Sequence, residues 1–464
     1  MLISSFSDLF FPLFSDQNLF GLVILFIATS AVIYTGGLSI LNSFVRNVSA
    51  ELQYKRKDIR LMFKTVSILQ YLIVLVLSVI AIQIVLQHMY SSSLVILVTI
   101  ISYIPATLIL GILSYRFIAW FRISKDAITF LFFLGSGMVA VNLGVGVVIH
   151  SYYIWSERSP IVTFASSQAD PAFPKITPQN VGILSPLYLY AFFIPLNLAY
   201  FFAWAGCSVL LRYYSSIIGN IRYWIIISIP LVIFLGSIYP TLQSLSTGSF
   251  NFYDPDLIMY RVLFRVAGTI GGVFIFSFAL LSISRGMKRL RSNLENKASA
   301  SSSSRSETPN TGIEDQRHKE VSGTSSITAD YMSLSAYGVA MLAVTVQASI
   351  IQTSYPPFGV SASSFVALAS YLFSLGFYFS AISISQDMQL RQSIRKYVVQ
   401  ETKLLDNIGT AQMERQIQNN VVDLTRRYSD RMTRDTGVIP SLQEEEIRKY
   451  MHEVLVELGK IKES

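Results

Sequence analysis

Two arginines stand within an apolar segment of this 464-residue chain, and their spacing suits the binding of an anion. Arg261 and Arg265 are four positions apart, so a helix places both side chains on one face. Planar guanidinium groups hydrogen-bond carboxylates and phosphates in a bidentate geometry that lysine lacks. We therefore predict that the two arginines form a ligand site for an anionic group. Snorkelling of both side chains to lipid headgroups and pairing with Glu157 or Asp170 are the competing interpretations.

Histidines supply a second kind of candidate chemistry. His88 and His150 each follow an apolar segment, and neutral imidazoles are ligands of transition metals. The two lack the close spacing of a metal-binding motif, so polar capping at a helix end competes with metal binding, and we predict no metal or other cofactor. His452 precedes Glu453, as in the phospho-accepting helices of histidine kinases, but the Arg and Pro of that pattern are missing. We interpret His452 as an exposed helix residue.

Patterns of a catalytic nucleophile or of a zinc protease do not occur in the sequence. It contains neither Gly-x-Ser-x-Gly nor His-Glu-x-x-His. The single cysteine, Cys207, excludes an internal disulfide and lies in an apolar segment, which is typical of a packed core residue. No Asp or Glu falls within an apolar segment, where ion-coupled transporters usually carry carboxylates. We therefore expect a protein that is not an enzyme.

The composition is that of a multi-pass membrane protein. Hydrophobic residues make up 52% of the chain and charged residues only 14%, whereas a soluble domain has about 25% charged residues. Apolar runs of about 20 residues predict an all-α fold with nine transmembrane helices. The predicted spans are Leu19–Leu41, Thr65–Leu86, Leu94–Tyr115, Ile128–His150, Leu184–Leu211, Trp224–Tyr239, Ile258–Ile283, Leu334–Gln352 and Ala362–Ile384.

The distribution of Lys and Arg predicts the orientation. Basic clusters such as Lys55–Lys57 and Lys288–Arg291 follow odd-numbered spans, whereas His88–Ser93 and Pro240–Asp256 contain no Lys or Arg. By the positive-inside rule the N-terminus is outside and the C-terminus is cytoplasmic, in a cell membrane. Attraction to anionic lipid headgroups accounts for the basic loops, so the net charge of +8 does not indicate nucleic-acid binding.

Small residues recur along two of the predicted spans at intervals of four. Gly268 and Gly272 do so in the seventh span, and Ser370 and Ser374 in the ninth. Such small-xxx-small faces let membrane helices approach closely. We expect these four residues to serve helix packing.

Changes of composition divide the chain into five parts. The serine-rich stretch before the eighth span has almost no large apolar residues and is predicted to be disordered. The parts are an outside N-terminus (1–18), a seven-helix membrane block (19–291), a disordered cytoplasmic linker (292–330), a two-helix hairpin (331–386) and a helical cytoplasmic tail (387–464).

The tail carries an amphipathic pattern. Apolar residues recur at helical spacing between Ile394 and Tyr428, with Gly409 as a weak point, and a break at Thr436–Pro440 precedes a capping box that begins at Ser441. Two interpretations stay open. The tail helices either fold on each other or on the membrane-side loops, or they form a coiled-coil-like element that binds a second copy of the chain or a cytoplasmic partner.

Several segments of the last two spans and the tail are similar to a known group of sequences. They are Tyr355–Gly359, Ser370–Leu372, Ser380–Ser383 and Leu390–Lys396. Through them the chain resembles an uncharacterised family of polytopic membrane proteins from ammonia-oxidising archaea. The resemblance implies an archaeal cell membrane and brings no functional residues with it.

Three functions remain compatible with the sequence. The first is a non-catalytic sensor or receptor-like protein, whose membrane helices receive a signal and pass it to the tail. The second is a permease or channel for a small, anionic solute. The third is an accessory subunit of a membrane complex. We favour the first because the spans lack carboxylates and the tail has the pattern of a partner-binding helix.

Overall fold

The computed structural model describes residues 57–87, 89–155, 161–163, 185–246, 267–268, 270–290, 292, 327–343, 345, 365–396 and 403–436. These residues form an all-α fold with one short β-ribbon. The main elements are α1 Lys57–Gln87, β1 Met89–Ser91, α2 Ser92–Ser124, α3 Ala127–Trp155, β2 Ile161–Thr163, α4 Ser185–Leu210, α5 Asn220–Ser246, α6 Ile270–Leu290, α7 327–343, α8 Val366–Gln386, α9 Met388–Lys396 and α10 Lys403–Thr436. A 3-10 turn, Leu211–Tyr214, and a one-turn helix, Ser215–Ile218, connect α4 to α5.

Four helices of the described part are long and apolar enough to cross a membrane. They are Ile96–Ser124, Ala127–Ser151, Ile270–Leu290 and Val366–Gln386, and shorter apolar helices occur at Lys64–Ile80, Ile194–Leu210 and Asn220–Gly236. The prediction of an all-α fold with apolar helices of membrane-spanning length is confirmed. The count of nine spans and the orientation stay predictions, since the first span and the ends of several others lie outside the described residues.

Most helices extend beyond the apolar runs that predicted them. Helix α1 begins at Lys57, before the predicted start at Thr65, and α2 ends at Ser124, nine residues after Tyr115. Charged and polar residues continue a helix readily once its apolar part has nucleated it. Helix α7 likewise begins at residue 327, four residues before the predicted start of the hairpin at residue 331.

The burial of Thr328 and Ala329 explains this earlier start of α7. Both residues are fully buried, and the Thr328 hydroxyl lies 2.8 Å from that of Ser383 in α8. The sequence of this first turn of α7 looks like that of a linker. Its packing against α8 therefore explains why the helix begins there.

The core of the molecule is centred on α8. In its most apolar stretch 83% of the residues are buried, against 39–56% for the other three membrane-length helices. One continuous core runs from Tyr103 in α2 through Phe377 in α8 to Ala411 in α10. The predicted hairpin therefore contributes the centre of the bundle, although the sequence places it after the seven-helix block.

Close contact between α7 and α8 depends on small residues. Gly338 lies against the backbone of Phe373, and a Cβ on Gly376 would come within 2.5 Å of the Tyr331 carbonyl oxygen. The Ser335 hydroxyl donates to the Phe373 carbonyl oxygen at 3.2 Å, across the same contact. Small side chains and interhelical hydrogen bonds are the usual means of association between membrane helices.

Two connections show how neighbouring helices are joined. Lys125 and Asp126 alone link α2 to α3, with Lys125 at a positive φ of 49°. At the other end of these helices, β1 pairs antiparallel with β2, so that Tyr90 faces Val162. The ribbon ties the α1–α2 connection to the segment that follows α3.

Candidate functional site

The predicted ligand and metal residues are only partly within the described chain. Arg261, Arg265 and His88 lie outside it. His150 is described, and its Nδ1 donates to the Gly146 carbonyl oxygen at 2.6 Å, while its ring meets that of Tyr103 edge-on at 6.1 Å between centroids. Over the described residues no three His, Cys, Asp or Glu side chains come together at a spacing that suits a metal ion.

Gly268 and Gly272 form a slot that holds Tyr200 of α4. A Cβ on Gly268 would lie 2.8 Å from Phe234 Cα, and one on Gly272 would lie 2.5 Å from the Tyr200 ring. The Tyr200 hydroxyl donates to the Gly268 carbonyl oxygen at 2.8 Å, and its ring stacks on that of Phe234 with centroids 3.7 Å apart. Any side chain on Gly272 would displace the tyrosine.

Ser370 and Ser374 of α8 differ from the glycines in chemistry. Ser370 is fully buried and Ser374 is half-buried. Within the described part of the chain neither hydroxyl has a hydrogen-bond partner. The residues thus place two polar atoms inside the central helix contact.

The tail helix α10 docks on the end of the membrane bundle at a site that we call the junction. It consists of Trp120 of α2, Ile384 of α8 and residues Leu404–Gln412 in the first half of α10. The Trp120 indole N–H donates to the Gln412 side-chain oxygen at 2.9 Å, and both residues are buried. The other buried residues of this half of α10 are Leu404, Leu405, Ile408, Gly409 and Ala411.

Gly409, a weak point of the helix in sequence, is the position of closest approach at the junction. A Cβ there would collide with Ile384 of α8. The cost of glycine in a helix is about 0.5–1 kcal/mol relative to alanine. At this position glycine permits the packing of α10 on α8, which alanine would prevent.

Arginines and aromatic rings surround the junction. The Arg116 guanidinium lies 5.2 Å from the centre of the Tyr378 ring, and that of Arg415 lies 5.8 Å from the centre of the Tyr115 ring. Each pair joins α2 to another element, α8 in the first case and α10 in the second. Cation–π contacts of this kind contribute about 0.5–1 kcal/mol at exposed sites and more where they are desolvated.

From Ile417 onward, α10 carries an exposed apolar stripe. Ile417, Leu424, Tyr428 and Met432 share one helical face and are 39–66% exposed. The first half of the same helix is buried at the junction, so a single helix joins the bundle to an uncovered apolar surface. The same part of the helix also carries Arg426, Arg427, Arg431 and Arg434.

A cavity lies inside the bundle, between α2, α3, α4, α6, α7 and α8. Its volume is about 110 Å³, and it is only partly enclosed. The lining is almost wholly apolar. Ser136, Tyr200 and Cys207 contribute its few polar side chains, and Ala203 and Phe373 are among the others.

Comparison with protein-family models, with curated proteins and with solved structures found no match. The junction and the cavity are therefore the features from which a function has to be inferred. Sequence reasoning missed both. Trp120 and Gln412 are 292 positions apart, and no local pattern links them.

Proposed function

We propose that the protein is a non-catalytic membrane sensor that relays a signal from its helical bundle to a cytoplasmic tail. The observation that carries the proposal is the junction, where Trp120 of the bundle is hydrogen-bonded to Gln412 of the tail and both are buried. A tail that only followed the bundle as an unstructured extension would have no such buried polar contact.

The central position of α8 supplies a route for the relay. Helix α8 is enclosed by the other helices, and α9 and α10 follow it closely along the chain. A change in the packing of α8 shifts Ile384, against which Gly409 of α10 is packed. The signal acts by changing the populations of two helix arrangements, because a ligand that binds one arrangement better favours that arrangement.

The topology that completes this proposal comes from the sequence. Nine spans in a cell membrane, with the N-terminus outside, put the junction and the tail in the cytoplasm, as the positive-inside rule requires. Arg116 and Arg415 then lie at the cytoplasmic headgroup level, where cations favour anionic lipids. Arg261 and Arg265 remain the proposed ligand residues on the outer side, and the archaeal family resemblance remains a proposal of the same kind.

A cytoplasmic protein that binds residues 387–464 reads the signal. The exposed stripe of α10 supports this partner, since Leu424 and Tyr428 are 52% and 66% exposed. The same surface supports the second candidate, an accessory subunit of a membrane complex, in which the partner is permanent. A second copy of the chain is the alternative occupant. The permease or channel for an anionic solute gains no support from the apolar cavity.

Distances between spin labels on α2 and α10 test the relay. With Cys207 replaced by serine, labels on Arg122→Cys and Leu424→Cys, both at exposed positions, report the position of α10 relative to the bundle. In lipid nanodiscs we expect one dominant distance. Gly376→Ala, which forces α7 and α8 apart, should raise a second distance to a substantial population although it does not touch α10.

Gly111→Ala is the matched control, because a Cβ there meets nothing within 4 Å. This variant should keep the original distance. If Gly376→Ala also leaves the distance distribution unchanged while the protein remains folded, the bundle and the tail are not coupled and the sensor proposal is wrong. Flux of an anionic solute into protein-containing vesicles would instead establish the permease.

A further inference from the structure

The cavity inside the bundle has the size of a small hydrocarbon group. Its volume of about 110 Å³ approaches the roughly 150 Å³ of an engineered apolar cavity that binds benzene or xenon. Six helices contribute to the lining, so the space is a feature of the whole bundle and not a gap beside one side chain. This volume leaves room for a single small ring or the end of an alkyl chain.

The two hydroxyl groups of the lining are already hydrogen-bonded. The Ser136 hydroxyl donates to the Phe132 carbonyl oxygen of its own helix at 2.8 Å. The Tyr200 hydroxyl donates to the Gly268 carbonyl oxygen, also at 2.8 Å. A ligand with its own hydrogen-bonding groups would leave those groups unpaired in a dry space, at a cost in affinity. The cavity therefore selects against polar ligands and water.

The position of the cavity indicates where such a ligand would come from. The cavity lies between membrane-length helices and is only partly enclosed. Hydrocarbon in the bilayer core is at high local concentration and needs no desolvation to enter. An empty cavity would forfeit the dispersion contacts of its lining, which a hydrocarbon group restores.

We propose that this cavity is a binding site for a hydrocarbon group, either the end of a lipid chain or a small apolar molecule dissolved in the membrane. Phe373 lines the cavity and belongs to α8, the helix at the centre of the bundle. The proposal does not depend on the function assigned to the tail.

Photolabelling of the full-length protein in lipid vesicles tests the site. One arm uses a phosphatidylcholine with a diazirine at the end of one acyl chain, and the other uses a short alkyl diazirine. Labelled residues are mapped by mass spectrometry. We expect label on the cavity residues Leu196, Ala203 and Cys207 of α4, in addition to Phe201 and Val209, which are exposed on the outside of the same helix.

Ala203→Leu should fill the cavity and lower labelling of Leu196 and Cys207 at least fivefold, with Phe201 and Val209 unchanged. Ala205→Leu is the matched control on the same helix, since Ala205 does not line the cavity, and should label as the native protein does. Should Ala203→Leu fail to fold, excess unlabelled cyclohexane must suppress labelling of Cys207 in the native protein.

Label in the lipid arm alone assigns a lipid chain, and label in the alkyl arm alone assigns a small free molecule. No label on the cavity residues in either arm, or equal labelling of Ala203→Leu and the native protein, overturns the proposal.

Discussion

At the scale of single residues, the hydrogen bond between Trp120 and Gln412 distinguishes the tail from a loosely attached segment. Both side chains are buried, so neither can exchange its partner for water. Leaving a buried donor unpaired costs about 1–3 kcal/mol, more than the hydrogen bond itself contributes. The hydrogen bond therefore works chiefly by raising the free energy of arrangements in which α10 is shifted along the bundle and the two side chains are unpaired.

Gln412→Leu should destabilise the docked tail by about 1–3 kcal/mol, because the indole N–H of Trp120 then has no acceptor. Spin labels on Arg122→Cys and Leu424→Cys should show a broadened distance distribution. Adding Trp120→Phe removes the unpaired donor, so the double variant should lose less stability than the sum of the two single variants. If the double variant is simply the sum of the two single variants, the hydrogen bond makes no specific contribution.

Gly272→Ala should lower the stability of the bundle by about 1–3 kcal/mol, because the new methyl group overlaps the Tyr200 ring and forces α4 and α6 apart. Unfolding in a denaturing detergent measures the change. Gly111→Ala, at an open position in α2, should be neutral or stabilise by up to about 1 kcal/mol, as alanine is the better helix former. Equal effects of both substitutions would show that close packing at Gly272 is not required.

At the scale of elements, α2 and α3 form a hairpin with a minimal connection. Asp126 is the N-cap of α3, and its Oδ2 accepts from the Thr129 backbone N–H at 3.3 Å and from the Thr129 hydroxyl at 3.2 Å. Lys125 precedes it and has a positive φ, a backbone conformation that costs free energy for any residue other than glycine. The carboxylate thus supplies an acceptor for orphan donors at the start of α3.

Asp126→Ala should cost about 0.5–2 kcal/mol, the usual effect of losing an N-cap, and Asp126→Asn should retain most of the stability. Unfolding of the two variants in a denaturing detergent gives the comparison. Equal loss in the alanine and asparagine variants would assign the effect to the negative charge at the helix N-terminus and not to the cap.

Also at this scale, α10 shows why one amphipathic pattern can serve two purposes. Leu405 and Ile408 in its first half are buried at the junction, whereas Leu424 and Tyr428 in its second half are exposed. The pattern in the sequence is continuous across both halves. Contact with the bundle buries the beginning of the helix, whereas Leu424 and Tyr428 farther along it have no such cover.

At the scale of the whole molecule, the two ends of the bundle differ in what they present. The β-ribbon with Tyr90 and Val162 joins connections at one end, and the junction with Trp120 lies toward the other end of α2. If the proposed orientation holds, the ribbon is outside and the junction is cytoplasmic.

Single cysteines test this orientation in a Cys207→Ser background. Ser92→Cys, next to the ribbon, should react with a membrane-impermeant maleimide in intact cells. Lys125→Cys, at the exposed α2–α3 turn, and Ser292→Cys should react only after the membrane is opened. Labelling of Lys125→Cys from outside would reverse the orientation and place the tail on the outer side.

Hydropathy and helical periodicity are local properties of a sequence. The features of this protein that depend on them could be predicted from the sequence by itself. The all-α class, the apolar centres of the helices from α1 to α8, and the amphipathic pattern of the tail all follow from local composition. Close-packing glycines could also be expected from their spacing, as at Gly268 and Gly272. Their partners, Phe234 and Tyr200, could not.

Only the tertiary structure decided which helix is central, where α10 docks and where the cavity lies. The physical reason is that lipid chains are as apolar as leucine, so hydropathy does not distinguish a helix face that packs on protein from one that faces the bilayer. Phe377 in α8 is almost fully buried and Phe274 in α6 is 71% exposed, although both are phenylalanines in apolar helices. That difference arises from shape complementarity among helices far apart in the chain, as does the meeting of Trp120 with Gln412.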